Sequence, residues 1–249
     1  HPEEQLEGGA LWHHLERNKI TFRNYGEGFE LAGADEGTGL KPTGARYLTN
    51  IPMPDPLYRN TARDYPNYNT NIPDQFRMAQ FEREFTKRWL TGRAKMPALV
   101  TMQVPNDHGA DVRPADGYPY RQSYMADNDL ALGRFIEHLS KSAVWKESVV
   151  MIVEDDAQNG PDHVDAHRST AYLVGPYLRR HAVVHTAYTT SGMLRTLELI
   201  LGLPPMSQYD AAALPLFGCF QGALNAAPYR AKAARVPLDA RNTAWNRSA

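Results

Sequence analysis

The chain has 249 residues, enough to bury a substantial core in one large α/β domain. A formal net charge of −1 gives no overall basic field and argues against nucleic acid as the principal partner, while the single cysteine, Cys219, excludes an intrachain disulfide and a thiolate-rich zinc module. No apolar run approaches the roughly 20 residues of a membrane-spanning helix, and no signal-like apolar core follows His1.

Residues 11–19 are expected to form a short helix, with Leu11, Trp12 and Leu15 at helical spacing, and residues 20–25 alternate like a strand. From 26 to 74 the periodicity dissolves into Gly, Pro, Asn and Asp, with Tyr47, Tyr58, Tyr65 and Tyr68 scattered through it. So long and aromatic a stretch reads as a functional loop or cap, the alternative being a surface excursion pinned by its tyrosines. Residues 76–90 return to helix, with Phe81, Phe85 and Trp89 recurring every four residues, and 98–104 read as a strand ending in Pro105-Asn106-Asp107-His108-Gly109. Ser123 is the expected N-cap of the longest helix, 124–140, with Asp127 and Asp129 near its positive end and Leu132, Phe135, Ile136 and Leu139 on one buried face. His138 falls on the solvent side in this reading. Strands at 149–153 and 170–174 follow, so the centre of the chain runs strand, helix, strand, turn, strand, the pattern of a mostly parallel sheet flanked by helices.

Thr189, Thr190 and Ser191 open a further helix, Ser191 being the expected cap. Met193, Leu197, Ile200 and Leu201 share a face before Gly202 and Pro204-Pro205 stop it. His13, His14, His181 and His185 read as surface or packing residues, the last two flanking an edge strand. Trp12, Trp89 and Trp145 read as core anchors. Residues 1–221 form one catalytic unit in this reading, and 222–249 a C-terminal strap or tail.

The chemistry concentrates after the strand at 149–153. Three consecutive acids, Glu154, Asp155 and Asp156, follow five apolar residues, and the next turn adds Asp162, His163, Asp165 and His167: seven potential ligands in fourteen residues. Packed carboxylates repel, so this concentration calls for a bound cation or raised pKa values. A mixed carboxylate and imidazole set without thiolates suits zinc, manganese or iron. In open parallel sheets the site lies beyond the carboxyl ends of the strands. If the two strands are neighbours, Asp107 and His108 face Asp155 and Asp156, with His163 and His167 closing the cluster. The competing reading is that each Asp-His pair is an ordinary hydrogen-bonded couple.

Residues 154–168 (Glu-Asp-Asp-Ala-Gln-Asn-Gly-Pro-Asp-His-Val-Asp-Ala-His-Arg), preceded by Met-Ala-Asp-Asn-Asp-Leu-Ala-Leu-Gly-Arg at 125–134 and Val-Pro-Asn-Asp-His at 104–108, resemble the bacterial phosphoesterase family. Phospholipase C and acid phosphatase relatives within the alkaline phosphatase-like superfamily belong to it, and the branch often fused to a β-propeller is the nearest in pattern. Residues 196–213 fit it as well. The resemblance implies an α/β/α sandwich, usually periplasmic or secreted, that hydrolyses phosphate esters at a divalent metal ion (zinc, manganese, iron or calcium) through a phosphoryl-enzyme intermediate. It places the metal ligands at Asp155, Asp156, His163 and His167, and the catalytic pair near the phosphate at Asp107 and His108. It also implies an upstream segment carrying the nucleophile, so that the chain is expected to be the C-terminal portion of the catalytic domain. The phosphate ester and that segment, with a β-propeller beyond it, are then the expected partners. A non-catalytic fragment or binding module that keeps a metal or anion site is the alternative, and a hydrolase of sulfate or carboxylic esters is a third.

Overall fold

A computed structural model describes residues 9–27, 54–70, 72–108, 119–155 and 168–241. The chain divides into two compact units, residues 1–138 with 230–249, and residues 139–229.

In the first unit, helix α1 (Leu11–Arg17) leads into strand β1 (Phe22–Tyr25), which pairs in parallel with β2 (Leu99–Met102) in the register Phe22 to Leu99 and Tyr25 to Met102. Thr61 bridges to Asn24 on the other edge of β1, also in parallel. Asn24 is fully buried, and its side chain holds these segments together. It donates to Thr61 Oγ1 (3.0 Å) and the Glu27 carbonyl (2.9 Å) and accepts from Thr101 Oγ1 (2.9 Å). A buried amide is tolerated only when satisfied in this way.

Helix α2 (Asp55–Asn60) lies within the stretch whose composition gave no periodicity. Six residues beginning after Pro54 and containing Pro56 are too few for an apolar stripe to show. Helix α3 (Asp74–Phe85) buries Met78, Phe81 and Phe85, continues into a π-turn at Thr86–Leu90, and packs Phe81 against Tyr25 (5.2 Å between ring centroids). Helix α4 (Arg121–Ser140) begins earlier than the capping signal suggested. Ser123 is therefore not its N-cap. The Ser123 hydroxyl donates instead to the Pro237 carbonyl (2.8 Å), and the Glu137 carboxylate accepts from the Ala231 amide (2.9 Å), so residues 230–241 run back along α4. His138 is not on a solvent face: its ring packs edge-on against Phe85 at 5.0 Å.

In the second unit, β3 (Val150–Val153) pairs with β4 (Ala171–Val174), and the pair is antiparallel. The fold class is thus α/β, with one parallel and one antiparallel pair rather than a uniformly parallel arrangement among the described strands. Residues 154–170 join the two strands and are numerous enough for either direction, a parallel return needing about a dozen or more, so connection length does not dictate the pairing; the Glu154 amide carries the antiparallel ladder one step further onto the Thr170 carbonyl at 3.1 Å. Leu139, Trp145, Leu178, Leu203 and Leu216 are the unit's buried apolar residues among those described. Helix α5 (Thr190–Leu201) is capped by Thr189, whose Oγ1 accepts from the Gly192 amide at 3.1 Å, and not by Ser191. Its buried positions are Gly192, Thr196 and Glu198, while Ile200 from the expected apolar face is exposed. The short helix α6 (Gln208–Ala212) is capped by Ser207. No strand forms between His181 and His185; His181 takes a left-handed turn conformation with φ of 55°.

Candidate functional site

Beyond β2 the chain enters a single 3-10 turn, Pro105–His108, that carries both residues of the expected catalytic pair. Asp107 is half-buried and His108 exposed. The His108 ring meets the edge of Tyr68 at 5.7 Å, which places one of the loop tyrosines beside it. Leading into the turn, the Tyr65 hydroxyl donates to the Gln103 carbonyl at 2.6 Å, and the Gln103 amide donates to the Tyr25 carbonyl at 2.9 Å. Burial holds the Tyr65 phenol well above its ordinary pKa, so it remains a neutral donor to that carbonyl.

Beneath the turn lies a buried polar network to which the motif reading gave no role, although Asn106, Asp127 and Asn128 stand in the segments it rests on. Asp74 begins α3 and is fully buried. Its carboxylate accepts from Arg77 Nη1 (3.0 Å), the Asn106 amide (3.0 Å) and Asn128 Nδ2 (3.1 Å). Asp127 on α4 accepts from the Asp74 amide (2.6 Å) and from Asn106 Nδ2 (2.7 Å), with a longer contact from the Gln75 amide (3.3 Å). Because Pro73 offers α3 no side-chain cap, Asp127 supplies the anion at its N-terminus from a second helix. Asn128 Nδ2 also donates to the Val104 carbonyl at 2.7 Å. Arg77, itself fully buried, places all five N–H donors: one on Asp74 and the others on the carbonyls of Pro66, Asn67, Asn69 and Ile72. The loop segment before α3 is thereby wrapped around a guanidinium.

Burial is the main influence on Asp74 and lifts its pKa from 3.8 to about 6; Arg77 opposes it, Asp127 adds to it, and the hydrogen bonds from Asn106 and Asn128 oppose it.

In the second unit, the expected metal-ligand run begins at the end of β3. The Glu154 amide donates to the Thr170 carbonyl at 3.1 Å, and the Ser169 hydroxyl donates to the Glu154 carbonyl, which fixes the backbone where the acids begin. Asp155 is exposed. Asp156, His163 and His167 lie outside the described residues. Among the described residues, no three His, Cys, Asp or Glu side chains form a group able to hold a metal ion. Asp155 is the described member of the expected ligand set, and an exposed carboxylate after a strand is chemically suited to that role.

A sequence signal for the network was present. Asp127 and Asn128 stand four and three residues before Ala131 on α4, and Ala131 is fully buried. Residues at that spacing share a helix face, so both polar side chains belong to the buried stripe.

Comparison with protein families matches residues 2–204 to the phosphoesterase family. Comparison with curated proteins finds none that matches the chain.

Proposed function

Because the chain belongs to the phosphoesterase family, whose members are hydrolases of phosphate esters, we propose a metal-dependent reaction that passes through a phosphoryl-enzyme. The family match carries this reading, because residues 2–204 include both the Asp107-His108 turn and the acid-rich run from Glu154 to His167.

Asp155, Asp156, His163 and His167 are the residues proposed to hold a divalent ion, zinc, manganese, iron or calcium. When bound, that ion supplies positive charge against the phosphate oxygens. Asp107 and His108 act at the phosphate. An imidazole on a rigid turn can donate N–H to a phosphate oxygen and can hold the proton destined for the leaving alcohol. A Ser or Thr hydroxyl attacks phosphorus; the P–O bond to the alcohol breaks and the alcohol takes a proton. Water then breaks the enzyme's P–O bond and releases phosphate. None of the six named residues is the attacking hydroxyl: their work is binding, orientation and proton handling. A periplasmic or secreted location is part of the same proposal.

The test is release of p-nitrophenol from p-nitrophenyl phosphate by the protein. Chelation, and separately Asp155→Ala, should lower the rate by about a hundredfold. Unchanged rates after both would remove the metal from the mechanism. Metal retained on the protein without turnover would favour a binding module, and faster cleavage of the matched sulfate ester would move the substrate class.

A further inference from the structure

Asn106 immediately precedes Asp107 and His108 and is held by main chain and side chain at once. Its amide donates to Asp74 and its Nδ2 to Asp127. These two aspartates come from different helices, 32 and 21 residues away along the chain. We infer that Asp74 and Asp127 are positioning residues for phosphate-ester hydrolysis, acting through Asn106 to hold the turn that presents Asp107 and His108. The inference rests on the assignment of that pair to the phosphate site.

The hydrogen-bond directions make the arrangement specific. Each hydrogen bond described for the Asp74 and Asp127 carboxylates comes from a donor: Arg77, the Asp74, Gln75 and Asn106 amides, and the side chains of Asn106 and Asn128. The charged and titratable groups facing Asp74 are Arg77 on its own helix, Asp127 on α4 and Tyr65 on the segment before α3. Two buried carboxylates opposite one guanidinium are a poor way to gain stability, because the desolvation cost of each charge rivals its pairing energy. They are a good way to fix geometry, since the two bonds to Asn106, at 3.0 and 2.7 Å, leave the turn no equivalent alternative. Asn106 has no freedom to turn its amide over, because a carbonyl oxygen directed at Asp127 would face an acceptor. Its own Oδ1 is buried with no hydrogen-bond partner among the described residues. Val104, two residues earlier, is tied by Asn128, so the chain is gripped on entry to the turn as well as within it.

The decisive experiment exchanges donor and acceptor in the protein. Asn106→Asp sets a carboxylate against Asp127 and should lower kcat for p-nitrophenyl phosphate by about tenfold to a hundredfold. KM should change far less, and amide exchange across residues 104–108 should quicken. Lowering the pH should partly restore kcat relative to wild type, because a protonated Asp at 106 regains a donor. Adding Asp127→Asn returns a donor and acceptor to opposite sides of the contact, and should recover both kcat and protection. An Asn106→Asp variant that keeps wild-type kcat overturns the inference, as does a double variant that regains protection without kcat, which would make the network structural only. Should Asn106→Asp fail to fold, Asn128→Ala removes one tether without adding charge; unchanged exchange and kcat in that variant would also overturn it. If the wild-type polypeptide does not cleave the ester at all, the functional assignment has failed, while the exchange measurements still report whether Asn106 is held.

Discussion

Asp74 sets two requirements of the molecule against each other. Its ionised form accepts the hydrogen bonds that grip Asn106, yet burial favours the protonated form and lifts the pKa to about 6. The folded state therefore binds this proton more tightly than the unfolded chain does. The stabilising contribution is fully present below about pH 3.8 and is lost as pH rises through about 6. Between those limits the wild-type protein should lose on the order of 3 kcal/mol relative to an Asp74→Asn variant, whatever constant offset the substitution brings. Urea denaturation of both proteins at pH 4, 5, 6 and 7 measures this; parallel pH curves would refute it. That Asp107 and His108 follow a strand was legible from sequence, because they stand out at the end of an apolar run. Asp74 was not singled out, and Asp127 was read only as a charge near the positive end of its helix, since an aspartate at a helix start or in a helix interior reads as a solvated charge until the packing around it is known.

The elements show how local signals and packing divide the work. Helix α5 follows its local rules at both ends, with Thr189 as N-cap and Gly202 in the left-handed conformation at φ of 70° as C-cap. Thr189→Ala should cost about 1 kcal/mol by loss of the bond to the Gly192 amide. Gly202→Ala should also cost about 1 kcal/mol, entirely conformational, because no atom lies within 4 Å of where the new Cβ would stand. Chemical denaturation of each variant checks both values, and a larger loss at position 202 would point to a contact that the geometry does not contain. Helix α3 obeys no such local rule. Its N-terminus follows Pro73 and takes its anion from Asp127, 53 residues away, which no window of sequence around Pro73 reveals. Ser123 errs in the opposite sense: it has the chemistry of a cap, but its hydroxyl is used by the returning segment at Pro237.

At the scale of the whole molecule, the proposed metal has a consequence for stability that does not depend on turnover. A ligand that binds only the folded chain raises its unfolding temperature in proportion to the logarithm of its concentration. Adding zinc or manganese to metal-stripped protein should therefore raise the melting temperature, and Asp155→Ala should blunt that rise. No shift with any of the four candidate ions would sink the ligand assignment. By itself the sequence determined the phosphoesterase family, the α/β class and the two acid-bearing strand ends, because runs of apolar residues and clustered ligands are contiguous along the chain. Only the tertiary structure decided that β3 and β4 run antiparallel, that His138 packs against Phe85, and that Asp74 and Asp127 meet at Asn106. Those outcomes depend on which distant segments are brought together when apolar surface is buried, and on the need of every polar group carried inside to find a partner there.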